Sequence, residues 1–393
     1  MLDVDDWLPV PDRRKPNLPY KPTLRRVIRP HTPPRPFGNA YKESTYPRQR
    51  ASKGELWDET PSAWSLRHPP LDTGTSPDGE ERTMEIVEQI ACEDGRGAQL
   101  VRCILDGNQD QTFVAKIFDP LYYSFASKET GFPADVTYSA DHDYSREAGA
   151  YQQLQKAGVD GKLVPKYFGS WTFDMDLHRE PEVRRPVRMI LLEWVPDHSM
   201  RDVLKSPDFA RMSPQHRLDI LGAAMEAYCL VEFHGVGHGD FAPRNVLLVG
   251  SDVDIQMPKV MLIDFNYSTI YTDPNSRQKS LGTELPLSPR HLLWECCPEE
   301  FEAWCPLPHR LREEVFKGWL KRRWDGAPGF ASEPPEGLSM FCDYDEPVEE
   351  AEPVEDSEYF QRKTAHRGND SPSGGHDHHA VCESPPLRSP FRF

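Results

Sequence analysis

His238-Gly239-Asp240-Phe241-Ala242-Pro243-Arg244-Asn245-Val246-Leu247-Leu248 is the stretch on which the reading of the fold turns. It sets a carboxylate, a guanidinium and an amide within six residues and runs out into an apolar segment. Nineteen residues after Asn245 stands Asp264, closing a second apolar run, Val260-Met261-Leu262-Ile263. Read as chemistry, this is a loop that displays polar groups, followed by a strand that ends in another carboxylate. Asn245 and Asp264 are hard oxygen ligands, the kind magnesium accepts beside phosphate oxygens. Asp240 is placed to accept a proton from an attacking hydroxyl.

Upstream of the loop, Ser213-Pro214 reads as a helix cap with proline at the first helical position. Leu218, Leu221, Met225 and Tyr228 then repeat at helical spacing and mark a buried face. Nearer the N-terminus, residues 84–92, 99–105 and 112–118 are short β-rich runs. Glu93-Asp94-Gly95-Arg96-Gly97 and Asp106-Gly107-Asn108 separate them with turn chemistry. Ser145 is expected to cap a helix that runs to Gly158 and sets Glu147, Tyr151 and Leu154 on one face. Two more strands are expected near 166–172 and 187–195, and a late helix over about 311–324.

These residues resemble the protein-kinase-like superfamily, near its aminoglycoside-phosphotransferase branch. The catalytic-loop pattern HxDxxxxN is matched by His238, Asp240 and Asn245, and the metal-binding aspartate by Asp264. The lysine of the third strand is matched by Lys116 in Phe113-Val114-Ala115-Lys116-Ile117, and its helix glutamate by Glu147. Met189-Ile190-Leu191-Leu192-Glu193-Trp194-Val195 is similar to the connector between lobes; the match implies that the backbone of Glu193 and Val195 bonds adenine. By the same resemblance, Lys116 holds phosphates in an ion pair with Glu147, and ATP and Mg2+ are the cofactors. Arg244 either contacts the transferred phosphate or is a structural arginine. Gly95 and Gly97 form either a loose phosphate clamp or an ordinary hairpin turn.

Several positions depart from the pattern. Leu100 stands at the third glycine of the loop, Asn266 at the glycine after Asp264-Phe265, and Gly239 where regulated protein kinases carry arginine. In Gly282-Thr283-Glu284-Leu285-Pro286-Leu287-Ser288-Pro289-Arg290 the expected tyrosine and glutamate are Pro286 and Arg290. About forty residues remain to Gly329, too few for a full helical platform. The expected architecture is therefore α+β: a two-lobed protein-kinase-like fold. Its N-lobe (81–196) is a small antiparallel sheet plus one helix, and its C-lobe (197–330) is mostly helical and shortened. Kinase-like proteins of filamentous fungi, with His-Gly-Asp loops and tails such as Trp304-Cys305-Pro306, are the nearest comparison. The implied activity is transfer of a γ-phosphate to a hydroxyl on a protein Ser/Thr or a small molecule. The alternatives are a weak or inactive pseudokinase that binds nucleotide or protein, and a scaffold.

Composition frames the ends. Of 39 prolines, 14 lie in residues 1–80, which also carry a run of Arg and Lys between Arg13 and Arg50. This segment reads as a disordered basic arm. Its Pro30-His31-Thr32-Pro33-Pro34-Arg35 fits a PxxPxR ligand for an SH3-type partner. Residues 331–393 read as a disordered acidic tail, with eleven acids and no base between Glu333 and Glu358. Its His376, His378 and His379 read as a tract without fixed geometry. The net charge of −17 argues against nucleic-acid binding. No apolar run is long enough to span a membrane, and acidic residues 1–6 lack a signal's apolar core. Eight cysteines without a CxxC pair fit a reducing compartment, cytoplasmic or nuclear.

Overall fold

The computed structural model describes residues 7–42, 46–74, 79–127, 130–177, 180–207, 209–250, 256–294, 297–335 and 348–355. In chain order the strands and helices are β1 (Arg25–Pro30), α1 (Lys53–Leu56), α2 (Pro61–Arg67), β2 (Arg82–Ala91), β3 (Gln99–Leu105), β4 (Thr112–Phe118), α3 (Val136–Lys156), β5 (Tyr167–Leu177) and β6 (Glu180–Glu193). They continue with β7 (His198–Ser199), α4 (Met200–Val203), α5 (Pro214–Phe233), β8 (Val236–Gly237), β9 (Val246–Val249), β10 (Lys259–Leu262), β11 (Thr269–Ile270), α6 (Pro289–Leu292) and α7 (Glu313–Trp324). The chain divides into two compact units, the first comprising 1–195, 235–237 and 264–279, and the second the remainder.

The first unit is built on a closed antiparallel barrel of six strands, in the order β1-β2-β3-β4-β6-β5. Alternate residues fill it. Val101, Ala115 and Leu191 lie across from one another in β3, β4 and β6, and all three belong to the buried core. The period of two then sends Lys116 to the outer face. Helix α3 lays a stripe of Val136, Ala140, Tyr144, Glu147, Tyr151 and Leu154 inward at helical spacing. Tyr144 meets Phe118 of β4 with ring centroids 5.5 Å apart.

This architecture corrects the expected one. The barrel is closed, not a small open sheet, and it closes through β1, which lies in the arm expected to be disordered. Ile28 of β1 is fully buried among the barrel's core residues. β1 pairs with β2 from Arg25↔Glu85 to Ile28↔Arg82, and with β5 at Arg29↔Thr172 and Pro30↔Trp171. Pro30 ends the strand, where a missing donor is tolerated. Helices α1 and α2 also lie in that arm, with Ser52 and Thr60 as caps.

The second unit is not a mostly helical lobe either. Among its described residues only α5 and α7 exceed one turn. A three-stranded sheet in the order β10-β9-β7 stands with them. Ser213 caps α5 by accepting from the His216 N–H, followed by Pro214. Helix α3 starts at Val136 under the cap Asp135, ten residues before the expected cap Ser145. Ser145 lies inside it and donates back to the His142 carbonyl at 3.0 Å, a bond available within a helix as well as at its end. Part of the acidic tail is also placed: the Val354 N–H donates to the Leu307 carbonyl, and Glu355 pairs with buried Arg217 at 2.7 Å. The tract of His376, His378 and His379 lies outside the described residues. No helix of the described residues is long and apolar enough to cross a membrane.

Candidate functional site

In the first unit, Lys116, Glu147 and Asp264 come together. Lys116 is held in register by Leu100 on one side and Ile190 on the other. Its ammonium donates to Asp264 Oδ1 at 2.6 Å and lies 2.5 Å from Glu147 Oε2. The Glu147 contact is a buried ion pair. Lys116 is 6% and Glu147 1% exposed, so water screens the pair little. Burial opposes the ammonium's charge, yet Asp264 and then Glu147 outweigh it and hold its pKa above the ordinary value. Burial pushes Glu147 up to about 7, against the pull of Lys116.

Asp264 adopts φ +67°, a conformation uncommon outside glycine and less rare for Asp. The residues after it fix it in place. Phe265 is buried against Tyr151 of α3, centroids 5.3 Å apart and edge to face. Ser268 donates to the Arg146 carbonyl at 3.4 Å, and β11 pairs with β8. Asn266 keeps its Oδ1 buried without a hydrogen-bond partner. In the sequence Asn266 stands out only as a departure from glycine. The amide two residues past Asp264 was the available signal that this segment offers a second hard oxygen.

In the second unit, the loop after α5 gathers Asp240, Arg244 and Asn245. Asn245 donates through Nδ2 to the Asp240 carbonyl at 2.9 Å and to its Oδ2 at 2.7 Å. That leaves the amide oxygen as a hard donor for a cation. Arg244 donates to Asp240 Oδ1 at 2.6 Å and also to Glu300, a partner the sequence did not suggest. His238 is fully buried; its Nδ1 accepts from the Asp240 N–H at 3.3 Å and its Nε2 then donates to the Ile263 carbonyl at 3.0 Å. The ring braces the loop through both nitrogens.

The turn between β2 and β3 is tied to its own surroundings. Gly95 and Gly97 have φ of +82° and +105°, which a side chain would strain. The Gly95 N–H donates to the Tyr122 carbonyl at 3.0 Å. Buried Gln99 accepts from the Glu93 N–H and donates to the carbonyls of Glu93 and Gly97. Glu193 is likewise engaged: its N–H donates to the Lys166 carbonyl at 2.8 Å, and its carboxylate accepts from the Lys166 N–H at 3.0 Å. Val195 is half-buried at the end of a segment of the first unit. Pro30 and His31 of the proline motif are bound to the barrel, the His31 N–H to the Ser170 carbonyl, and Pro34 is buried.

Among the described residues no three His, Cys, Asp or Glu side chains converge in metal-holding geometry. The donors present suit a cation that brings its own ligands. Magnesium is bound through one or two protein oxygens plus substrate phosphates and water, and Asp264 and Asn245 are of that type. The chain matches no protein-family model and no curated protein.

Proposed function

We propose that the chain is an ATP- and magnesium-dependent phosphotransferase that moves the γ-phosphate to a hydroxyl acceptor. The reading rests on side chains and not on the fold. The observation that carries it is the buried Lys116 ammonium between Glu147 and Asp264. A fixed cation beside a carboxylate in a strained, half-exposed position suits a phosphate together with its metal. In this reading Lys116 takes phosphate oxygens and Glu147 keeps Lys116 charged and aimed. Asp264, beside the Lys116 ammonium, is an oxygen ligand for magnesium. Asp240 accepts the hydroxyl proton, and Arg244 sets its orientation. Magnesium, when bound, neutralises charge on the phosphates and lowers the barrier to their transfer.

A second reading, a nucleotide-binding module without catalysis, is favoured by two particulars. Asp240 is already engaged by Arg244 and Asn245, and the Gly95 N–H is already bonded within the chain. Radiolabelled γ-phosphate transfer to hydroxylated small molecules and generic peptides separates the two. Transfer that disappears in Asp240→Asn supports the enzyme. Nucleotide binding without transfer by the wild type supports the module.

A further inference from the structure

The second unit holds a short piece of the acidic tail through contacts that phosphate transfer does not use. Residues 348–355 carry four glutamates and no base, whereas 310–323 carry six Lys or Arg against two Glu, so the two stretches are opposite in charge. The tail piece has no helix or turn of its own. Two backbone bonds set its register. The Glu349 N–H donates to the Glu314 carbonyl at 3.0 Å, and the Val354 N–H to the Leu307 carbonyl at 2.7 Å, where the two residues form an antiparallel bridge. Three of the four glutamates meet arginines. Arg312 donates to Glu349 Oε1 at 3.3 Å, Arg322 lies 3.4 Å from Glu350, and Arg217, itself buried, lies 2.7 Å from Glu355.

Gly318 is an independent sign that this face is shaped for a peptide. It stands in the middle of α7, where glycine weakens a helix. A Cβ there would fall 2.2 Å from the Glu349 carbonyl oxygen, and the three nearest atoms it would meet all belong to the Glu349 backbone. The missing side chain makes room for a main chain laid across the helix. What holds that chain is generic. None of residues 348–355 is buried, and the side chains of Arg312, Glu349, Arg322 and Glu350 are each at least 41% exposed. Exposed pairs of this kind hold weakly one by one. Main-chain donors and carboxylates are features that any acidic, strand-like peptide offers to such a face.

We propose that the face formed by α7 and the Leu307 turn is a docking site for an acidic segment of a partner protein, and that residues 348–355 fill it as a built-in competitor. Joined to the same chain, the tail competes at an effective concentration on the order of millimolar. A partner segment enters when it fits these contacts more closely or brings more carboxylates to the arginines. The proposal is independent of the transfer reaction, because none of these residues belongs to the two clusters described above.

Fluorescence anisotropy of a labelled peptide with the sequence of residues 348–355, titrated with the full chain, tests this. In the full chain carrying Glu349→Lys, Glu350→Lys and Glu355→Lys the tail no longer matches the face. That chain should bind the peptide about tenfold or more tighter than the wild type does. Adding Gly318→Ala should weaken binding about tenfold while the melting temperature holds or rises, because alanine favours the helix. Arg312→Gln, at an exposed position, should weaken it in the same direction. A peptide N-methylated at the position of Val354 loses the donor to Leu307 and should bind about tenfold more weakly. No saturable binding to the tail-reversed chain, or affinity equal to that of the wild type, would overturn the proposal. Binding unaltered by Gly318→Ala or by the N-methyl group would overturn it too, since charge attraction alone would then account for the contact.

Discussion

The Lys116 cluster and the Asp240 cluster use the same kinds of group in opposite surroundings. Lys116 and Glu147 are almost fully buried, whereas the Arg244 side chain is 40% and that of Asp240 23% exposed. In the first, removal of one charge strands another away from water. In the second, solvent compensates and the ion pairs add little stability. The comparison teaches that the two clusters differ in kind: one is part of what holds its unit together, the other is a set of ion pairs partly open to solvent.

The sharpest break between them is kinetic. Asp240→Asn should lower γ-phosphate transfer by about 10²–10⁴-fold, the usual contribution of a general base. Its stability should change by no more than about 1 kcal/mol in urea unfolding. Transfer at an unaltered rate would mean that the base lies elsewhere. Lys116→Met should show the converse emphasis. Leaving Glu147 buried without its cation should destabilise the chain by about 3–5 kcal/mol at alkaline pH, where Glu147 is ionised, and by less below pH 7, where it takes up a proton, read as a lower urea midpoint. A midpoint unchanged within error would mean that the pair is not the buried brace described here.

The pH dependence sharpens the contrast. Glu147 holds its proton up to about pH 7 in the folded chain but only to its ordinary 4.5 when unfolded. Between those values the folded state binds more protons, so stability is greatest below the window and falls as pH rises through it. Asp141, raised by burial from 3.8 to about 7, acts in the same direction. Glu147→Gln should therefore flatten part of the slope and Asp141→Asn another part; a slope identical in Glu147→Gln would refute the assignment. The Lys116 contribution has the same sense in a different window: it is present below the lysine's ordinary pKa and is lost as alkaline pH rises through the raised folded value. The smallest effect belongs to the exposed cluster. Arg244→Gln should shift stability by about 1 kcal/mol or less, which urea titration against the Lys116→Met value will show.

Much of the barrel could be read locally. β3 and β4 fall on the two predicted runs, because alternation and the Gly-containing turns between them are short-range signals. β1 could not be read this way. Arg25-Arg26-Val27-Ile28-Arg29-Pro30 offers one fully buried residue, and its pairing with β2 and β5 joins residues far apart in sequence. Proline content therefore suggested disorder where a long-range closure makes a strand. Glu147 was legible because it shares a helical face with Tyr151 and Leu154. The start of α3 was not, because serine inside a helix resembles serine at its end. Of the candidate site, the order and spacing of Asp240, Asn245 and Asp264 suggested the residues, and their roles rest on the resemblance. The Glu300 contact and the lacing of the glycine turn by Gln99 depend on tertiary folding that no spacing encodes.

The measurement that bears most directly on the phosphotransferase reading is thermal unfolding of the full chain with ATP, with and without magnesium, beside Lys116→Met. The wild type should be stabilised by ATP only when magnesium is present, by about 2.7 kcal/mol at a hundredfold excess over the dissociation constant. Lys116→Met should lose that response. No stabilisation of the wild type at saturating ATP with magnesium, or an equal response in the variant, would contradict the claim that Lys116 and Asp264 grip a metal-bound triphosphate.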